Sequence, residues 1–203
     1  MPLYRAPAAS VGSGLPLQLP IQDGRYYGPL CYFESDDVAT VSDIADTMIA
    51  LPFVAQQQKM WSKIGIYVND TEGTAKSVRL GIYSSGSDGL PDALVIDAGL
   101  VDLQSSGEQE KDISELLDAD TRYWLVALSE AGTSTATLVG FNNNGSTRIL
   151  QWMFGAPDGG GGGVGVGVVK SQAFGALPSS FGAIDDYMFG SQYAPLIWLR
   201  TGV

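Results

Sequence analysis

Between residues 77 and 102 the chain reads SVRLGIYSSGSDGLPDALVIDAGLVD, the stretch that restricts its fold most tightly. Val78, Leu80 and Ile82 alternate with Arg79, Gly81 and Tyr83. The polar run Ser84-Ser85-Gly86-Ser87-Asp88-Gly89 follows, rich in residues that accept turn conformations. Leu94, Ile96, Ala98 and Leu100 then resume the alternation on what reads as one face. A period of two broken by a Gly/Ser/Asp loop predicts a half-buried antiparallel strand pair.

The same pattern recurs along the chain. Strands are expected over residues 48–54, 60–69, 77–83, 93–103, 111–116, 122–129, 135–141, 147–154 and 195–200. Ile64, Ile66 and Val68 share one face of the second. In 122–129 both faces are apolar, with Trp124, Val126 and Leu128 against Tyr123, Leu125 and Ala127, which predicts a central strand. Asn142-Asn143-Asn144-Gly145-Ser146 is read as the tight turn of a hairpin. The polar residues 36–45 suggest a short helical turn. About nine to eleven short strands at this spacing predict an all-β, antiparallel β-sandwich, jelly-roll-like, in one domain. Composition agrees: 26 glycines, 9 tyrosines and 4 tryptophans accompany only 16% charged residues in 203.

Two segments depart from the alternation. Residues 1–24 carry Pro2, Pro7, Pro16 and Pro20 among Ala, Ser, Gly and Leu. Proline removes donors and favours extended backbone, so this segment is expected to be an arm preceding a domain at 25–203. Leu3, Tyr4, Leu15, Leu17 and Leu19 are its candidate assembly contacts. The second segment holds five consecutive glycines, Gly159 to Gly163, and then Val164, Val166 and Val168 alternating with glycine. That alternation fits a strand packed on one face and closely approached on the other.

The net charge is −11, and 11 scattered lysines and arginines form no basic patch, so neither nucleic acid nor an anionic membrane surface is an expected partner. No apolar run approaches the ~20 residues of a spanning helix. The N-terminus lacks the charged start and apolar stretch of a secretory signal. The expectation is a protein made in a cytoplasm without membrane insertion. Cys31, the single cysteine, lies between Leu30 and Tyr32 and reads as a buried thiol.

The chain contains no histidine, which excludes a Ser-His-Asp triad, a Cys-His pair and the usual zinc sites. The glycine run is not a phosphate loop, since GxxxxGK[ST] is absent. Carboxylates cluster at Asp36-Asp37, Asp43, Asp46, Asp118, Asp120 and Asp185-Asp186, but sequence alone cannot set any pair across a sugar cleft. No cofactor is expected. Should calcium be held, Asp185 and Asp186 are the candidates to supply some of its roughly six to eight oxygens. Sugar rings stack on exposed aromatic faces. Tyr26, Tyr27, Tyr32, Trp61, Tyr67, Tyr83, Trp124, Trp152, Tyr187 and Trp198 are the aromatic stock. Trp124 and Trp198 sit in strongly apolar strands and are assigned to the core. Trp61, Trp152 and the polar tip Asn142, Asn143 and Asn144 remain as ligand-binding candidates.

Residues 79–83 (RLGIY), 89–91 (GLP), 97–99 (DAG) and 117–125 (LDADTRYWL) carry a resemblance. In this order they are similar to a β-sandwich module of tailed-bacteriophage virion proteins, found in tail fibres, tail tips and head spikes. Arg25-Tyr26-Tyr27 and Leu51-Pro52-Phe53 before Trp61 also fit its opening, and the likeness spans roughly residues 25–140. It implies a non-enzymatic virion structural protein exposed on the tail or as capsid decoration. Other virion proteins would be its partners through the arm, it would be a homo-oligomer with a trimer as first guess, and it would contribute to host attachment through a surface glycan. The alternatives are a stand-alone carbohydrate-binding module and a carboxylate-based glycan hydrolase. The resemblance carries no catalytic residues.

Overall fold

The structure, a computed structural model, describes residues 21–29, 38–42, 45–71, 76–130, 136–141, 167–187 and 194–202. The regular elements within them are all strands: β1 (Tyr26–Tyr27), β2 (Val38–Ser42), β3 (Thr47–Ala55), β4 (Lys59–Asp70), β5 (Ser77–Ser85), β6 (Pro91–Asp102), β7 (Gly107–Leu117), β8 (Thr121–Ser129), β9 (Thr137–Phe141), β10 (Val168–Ser171), β11 (Asp186–Tyr187), β12 (Ala194–Pro195) and β13 (Trp198–Arg200). They form two antiparallel sheets, the β-sandwich that the alternation predicts. A six-stranded sheet runs β11-β10-β3-β8-β5-β6. A seven-stranded sheet runs β1-β13-β4-β9-β12, with β7 also pairing β4 and β2 also pairing β9.

Inward side chains of both sheets meet in one core. Ile49, Leu51 and Phe53 of β3, Val78, Leu80 and Ile82 of β5, and Leu125 of β8 face Ile64, Ile66 and Val68 of β4, Leu138 of β9 and Leu199 of β13. Fully burying such a side chain is worth about 1.5–3 kcal/mol, so this face dominates the stability of the fold. β8 lies between β3 and β5, the central place its two apolar faces predict. Its second face, Trp124, Val126 and Leu128, packs into a separate cluster with Met48, Ala50, Tyr83, Leu177 and Phe181. The six-stranded sheet is therefore apolar on both sides.

Three sequence expectations are corrected. Residues 38–42 are strand β2, not a helical turn; Val38, Thr40 and Val41 are β-branched, and β9 supplies a pairing partner from a hundred residues away. The alternation through β6 is interrupted by register shifts against β5, at Leu80/Gly81 and beyond Ile82. A bulge turns the following side chains to the other face. Leu94 thus packs on the outer cluster, Ile96 and Ala98 on the core, and Val101 replaces an exposed Leu100 inside. Finally, Trp198 is buried at 6% exposure, yet on the outer face of its sheet under Tyr26 rather than in the sandwich core.

Residues 21–24, grouped by sequence with the arm, are fastened to the domain. The Gly24 amide donates to the Thr201 carbonyl at 2.7 Å, Asp23 pairs with Lys59 at 3.0 Å, and Ile21 packs against the core. Gly167 approaches the β3 backbone so closely that a Cβ would overlap the Ala50 carbonyl oxygen, the crowding that glycine alternation suggests. The assembly contacts Leu3, Tyr4, Leu15, Leu17 and Leu19, Cys31, the strand expected at 147–154, and Gly159 to Val166 lie outside the described residues.

Candidate functional site

The core side chains of β4, β13 and β1 dictate what the seven-stranded sheet shows to the outside. With Ile64 and Ile66 inward, Lys63, Gly65 and Tyr67 must point outward. With Leu199 and Tyr27 inward, Trp198, Arg200 and Tyr26 point outward as well. Pairing then sets neighbours side by side: Tyr26 with Arg200, Trp198 with Gly65, Gly65 with Glu110, and Tyr67 with Glu108. The indole of Trp198 lies over Gly65, where a Cβ would come 2.8 Å from its Nε1.

A chain of polar contacts runs across this face. Lys63 Nζ lies 3.2 Å from Asp112 and 3.3 Å from Glu110 Oε2, and Arg200 Nη2 reaches the same Glu110 oxygen at 3.1 Å. Arg200 Nη1 donates to the Tyr26 hydroxyl at 3.3 Å, and that hydroxyl donates to Glu108 Oε2 at 2.6 Å. The guanidinium also sits over the Tyr26 ring, 5.5 Å from its centre. Bonding to Asp112 and then Glu110 raises the Lys63 pKa. The bond to Glu108, with burial and the same negative charge, raises that of the Tyr26 phenol against the opposing pull of Arg200. Lys63 and Arg200 share the largely buried Glu110 carboxylate, and the ladder fixes the side-chain positions across this face. Glu110 Oε1, Arg200 Nε and Trp198 Nε1 are buried without a hydrogen-bond partner among the described residues.

Beside the ladder is a groove of about 370 Å³ lined by Tyr26, Tyr67, Glu108, Val139, Leu196 and Trp198. Tyr26 is 44% and Tyr67 39% exposed, while Trp198 forms a buried wall edge-on to Tyr26 at 5.4 Å. An open, mostly apolar trough with one carboxylate at its rim can accept a ring that is apolar on one side and carries donors at its edge.

No family model and no curated protein matches the chain.

The residues singled out in the sequence fall elsewhere. Trp61 is fully buried, edge-on to Phe53 and Tyr27 at 5.4 and 5.7 Å, so it belongs to the core and offers no ring face to a ligand. Phe53 of β3 covers it from the opposite sheet, and the pairing of β1 with β13 brings Tyr27 against it. Asn142, Asn143, Asn144 and Trp152 lie outside the described residues. Asp185 Oδ2 accepts from the Ser171 amide at 2.6 Å, which lowers its pKa, and Asp186 Oδ1 accepts from the Tyr187 amide at 2.8 Å. Asp46 and Asp118 likewise accept from Phe174 N and Gln58 Nε2, at 3.0 and 2.9 Å. These carboxylates fasten loops. Among the described residues no three acidic or thiol side chains gather as a metal site.

Tyr67 had a signal in the sequence: it is the aromatic residue at an outward position of a strand whose inward positions are Ile64, Ile66 and Val68. Tyr26, Glu108 and Leu196 had none, because their neighbourhood depends on the pairing of β1 with β13 and β7 with β4, across 82 residues in the case of Tyr26 and Glu108.

Proposed function

We propose that the chain is a non-enzymatic structural protein of a tailed-phage particle, exposed on the particle surface and contributing to host attachment through a glycan. The support comes first from the resemblance over residues 25–140. The motif residues behind that resemblance have a structural use: Arg79 pairs with Asp97 at 2.9 Å, Gly99 takes φ +90°, and the Tyr123 hydroxyl accepts from the Asp118 amide at 3.0 Å. They build a rigid sandwich, as a display module requires.

The observation that carries the attachment role is the aromatic groove on the seven-stranded sheet, left open between Tyr26 and Tyr67. The proline-rich segment before residue 21 is the proposed link to other virion proteins.

The test is made on purified particles of the source virus. The protein is expected at a fixed copy number per particle, with hundreds indicating capsid decoration and a handful indicating a tail position. Deleting residues 2–20 should leave a folded domain that no longer enters particles. Absence of the full chain from purified particles, or normal incorporation of the truncated one, refutes the reading.

A further inference from the structure

We infer that the groove between Tyr26 and Tyr67 binds a neutral pyranose. One C–H face of the sugar lies on the aromatic and aliphatic lining, and a hydroxyl donates to Glu108. This deepens the attachment reading and rests on it only for its biological setting.

The lining decides the ligand class. Tyr26, Tyr67, Trp198, Leu196 and Val139 present carbon, so the ligand needs an apolar face. Glu108 is an acceptor at the rim, and its Oε2 already accepts a hydrogen bond from the Tyr26 hydroxyl. The remaining lone pairs of an ionised carboxylate accept only donors. A pyranose has both an apolar face and a ring of hydroxyl donors. A lipid chain has no donor for Glu108. A peptide adding as a strand would seek an open strand edge, whereas the groove lies on a sheet face; a proline-rich peptide on the same aromatic lining is the competing occupant, tested below with residues 2–20.

Charge removes acidic sugars. The chain carries a net charge of −11, and Glu108, Glu110 and Asp112 line one strand next to the groove. The two cations at hand, Lys63 and Arg200, are already paired with Glu110 and Asp112. An anionic ligand would meet Glu108 with no free positive partner among the described groove residues. At about 370 Å³ the trough is near the lower end of small-ligand sites, roughly 300–1,000 Å³, which suits one or two rings rather than a long chain.

The test uses the full chain on an array of neutral and acidic oligosaccharides, followed by titration of each hit while the Trp198 indole N–H is observed by NMR. A neutral glycan should give a saturable shift of that resonance. Tyr67→Ala should weaken binding roughly five- to tenfold, the loss of one aromatic contact. Glu108→Gln should weaken it several-fold with an unchanged melting temperature, and Tyr67→Phe should retain it. Failure of every neutral glycan to bind, equal binding by Tyr67→Ala, or tighter binding of acidic glycans overturns the inference. A shift of that resonance by a peptide of residues 2–20 with none from any neutral glycan also overturns it, and makes the groove a seat for the N-terminal segment of the chain. Particle incorporation is scored separately: a chain built into particles that binds no sugar refutes the groove alone, and a sugar-binding chain absent from particles refutes the virion role alone.

Discussion

Each sheet of the sandwich turns one face away from the shared core, and the chain finishes those two faces differently. On the six-stranded sheet, residues 172–185 cross the outside as a strap. Leu177 sits against Gly81, Phe181 stands edge-on to Tyr83 at 5.3 Å, and the Tyr83 hydroxyl donates to the Pro178 carbonyl at 2.7 Å. Asp97 ties strap to sheet: it accepts from Arg79, from the Gly99 amide at 3.0 Å and from the Leu177 amide at 3.1 Å. Leu94 N and Phe181 N complete the attachment, bonding Ser179 O and Asp92 O. On the seven-stranded sheet no described segment covers Tyr26 and Tyr67, which remain more than a third exposed. Apolar surface that is sealed contributes to folding. Apolar surface left open beside oriented polar groups is available for binding.

The contrast breaks most easily at Phe181. Truncation to alanine should cost about 3–5 kcal/mol, as for a fully buried phenylalanine, because Tyr83, Trp124 and Leu128 lose their lid. Urea denaturation measures the loss. A cost below ~1 kcal/mol would mean that the strap adds nothing to the fold. Gly81→Ala attacks the same contact from beneath. Its Cβ would overlap Leu177 Cδ1 and come 2.7 Å from the Ile96 carbonyl oxygen, a backbone atom that cannot swing aside. Overpacking of this kind costs about 1–3 kcal/mol. Wild-type stability in Gly81→Ala would show that the strap is not seated there.

Tyr83→Phe sharpens the comparison through pH. Burial, and next the Asp97 charge, push this phenol well above the ordinary tyrosine value of about 10. The folded protein then keeps a proton that the unfolded chain releases, so this contribution is present below pH ~10 and is lost as the pH rises beyond it. At neutral pH the variant should be about 1 kcal/mol less stable, the value of a typical hydrogen bond. The gap between the two proteins should narrow as the pH climbs past ~10, followed by denaturant midpoints. A gap that stays constant would place the Tyr83 hydroxyl in water.

Much of this division was legible in sequence, and the illegible part has a common cause. Strong period-two runs such as 64–68 and 123–128 gave their faces correctly, since each inward residue is apolar whatever its partner strand. The apolar second face of β8 even announced that something covers it. The identity of the cover was hidden: 172–185 has no period, and its hold on Asp97 and Tyr83 spans some eighty to ninety-five residues. The β6 bulges were hidden for the same reason, because Gly99 reads as an ordinary strand glycine until its φ of +90° is seen. Trp61 misled because a tryptophan beside Met60 and Lys59 looks exposed, while its burial follows from Tyr27 and Phe53 arriving over it. The groove residues come from β1, β4, β7, β9, β13 and the β12–β13 link, so only pairing could assemble them.

Tyr67→Ala is the smallest expected effect and the sharpest separation of the two faces. The side chain is 39% exposed and faces the groove. Its neighbours on β4, Ile66 and Val68, keep their inward packing without it. Stability should therefore change by no more than about 0.5 kcal/mol, the range of ordinary surface substitutions, read as an unchanged urea midpoint and slope. The same substitution in a sealed face would resemble Phe181→Ala. A loss above ~2 kcal/mol would mean that Tyr67 is covered in solution, by another copy of the chain or by one of its own segments, and the midpoint would then depend on protein concentration in the first case and not in the second.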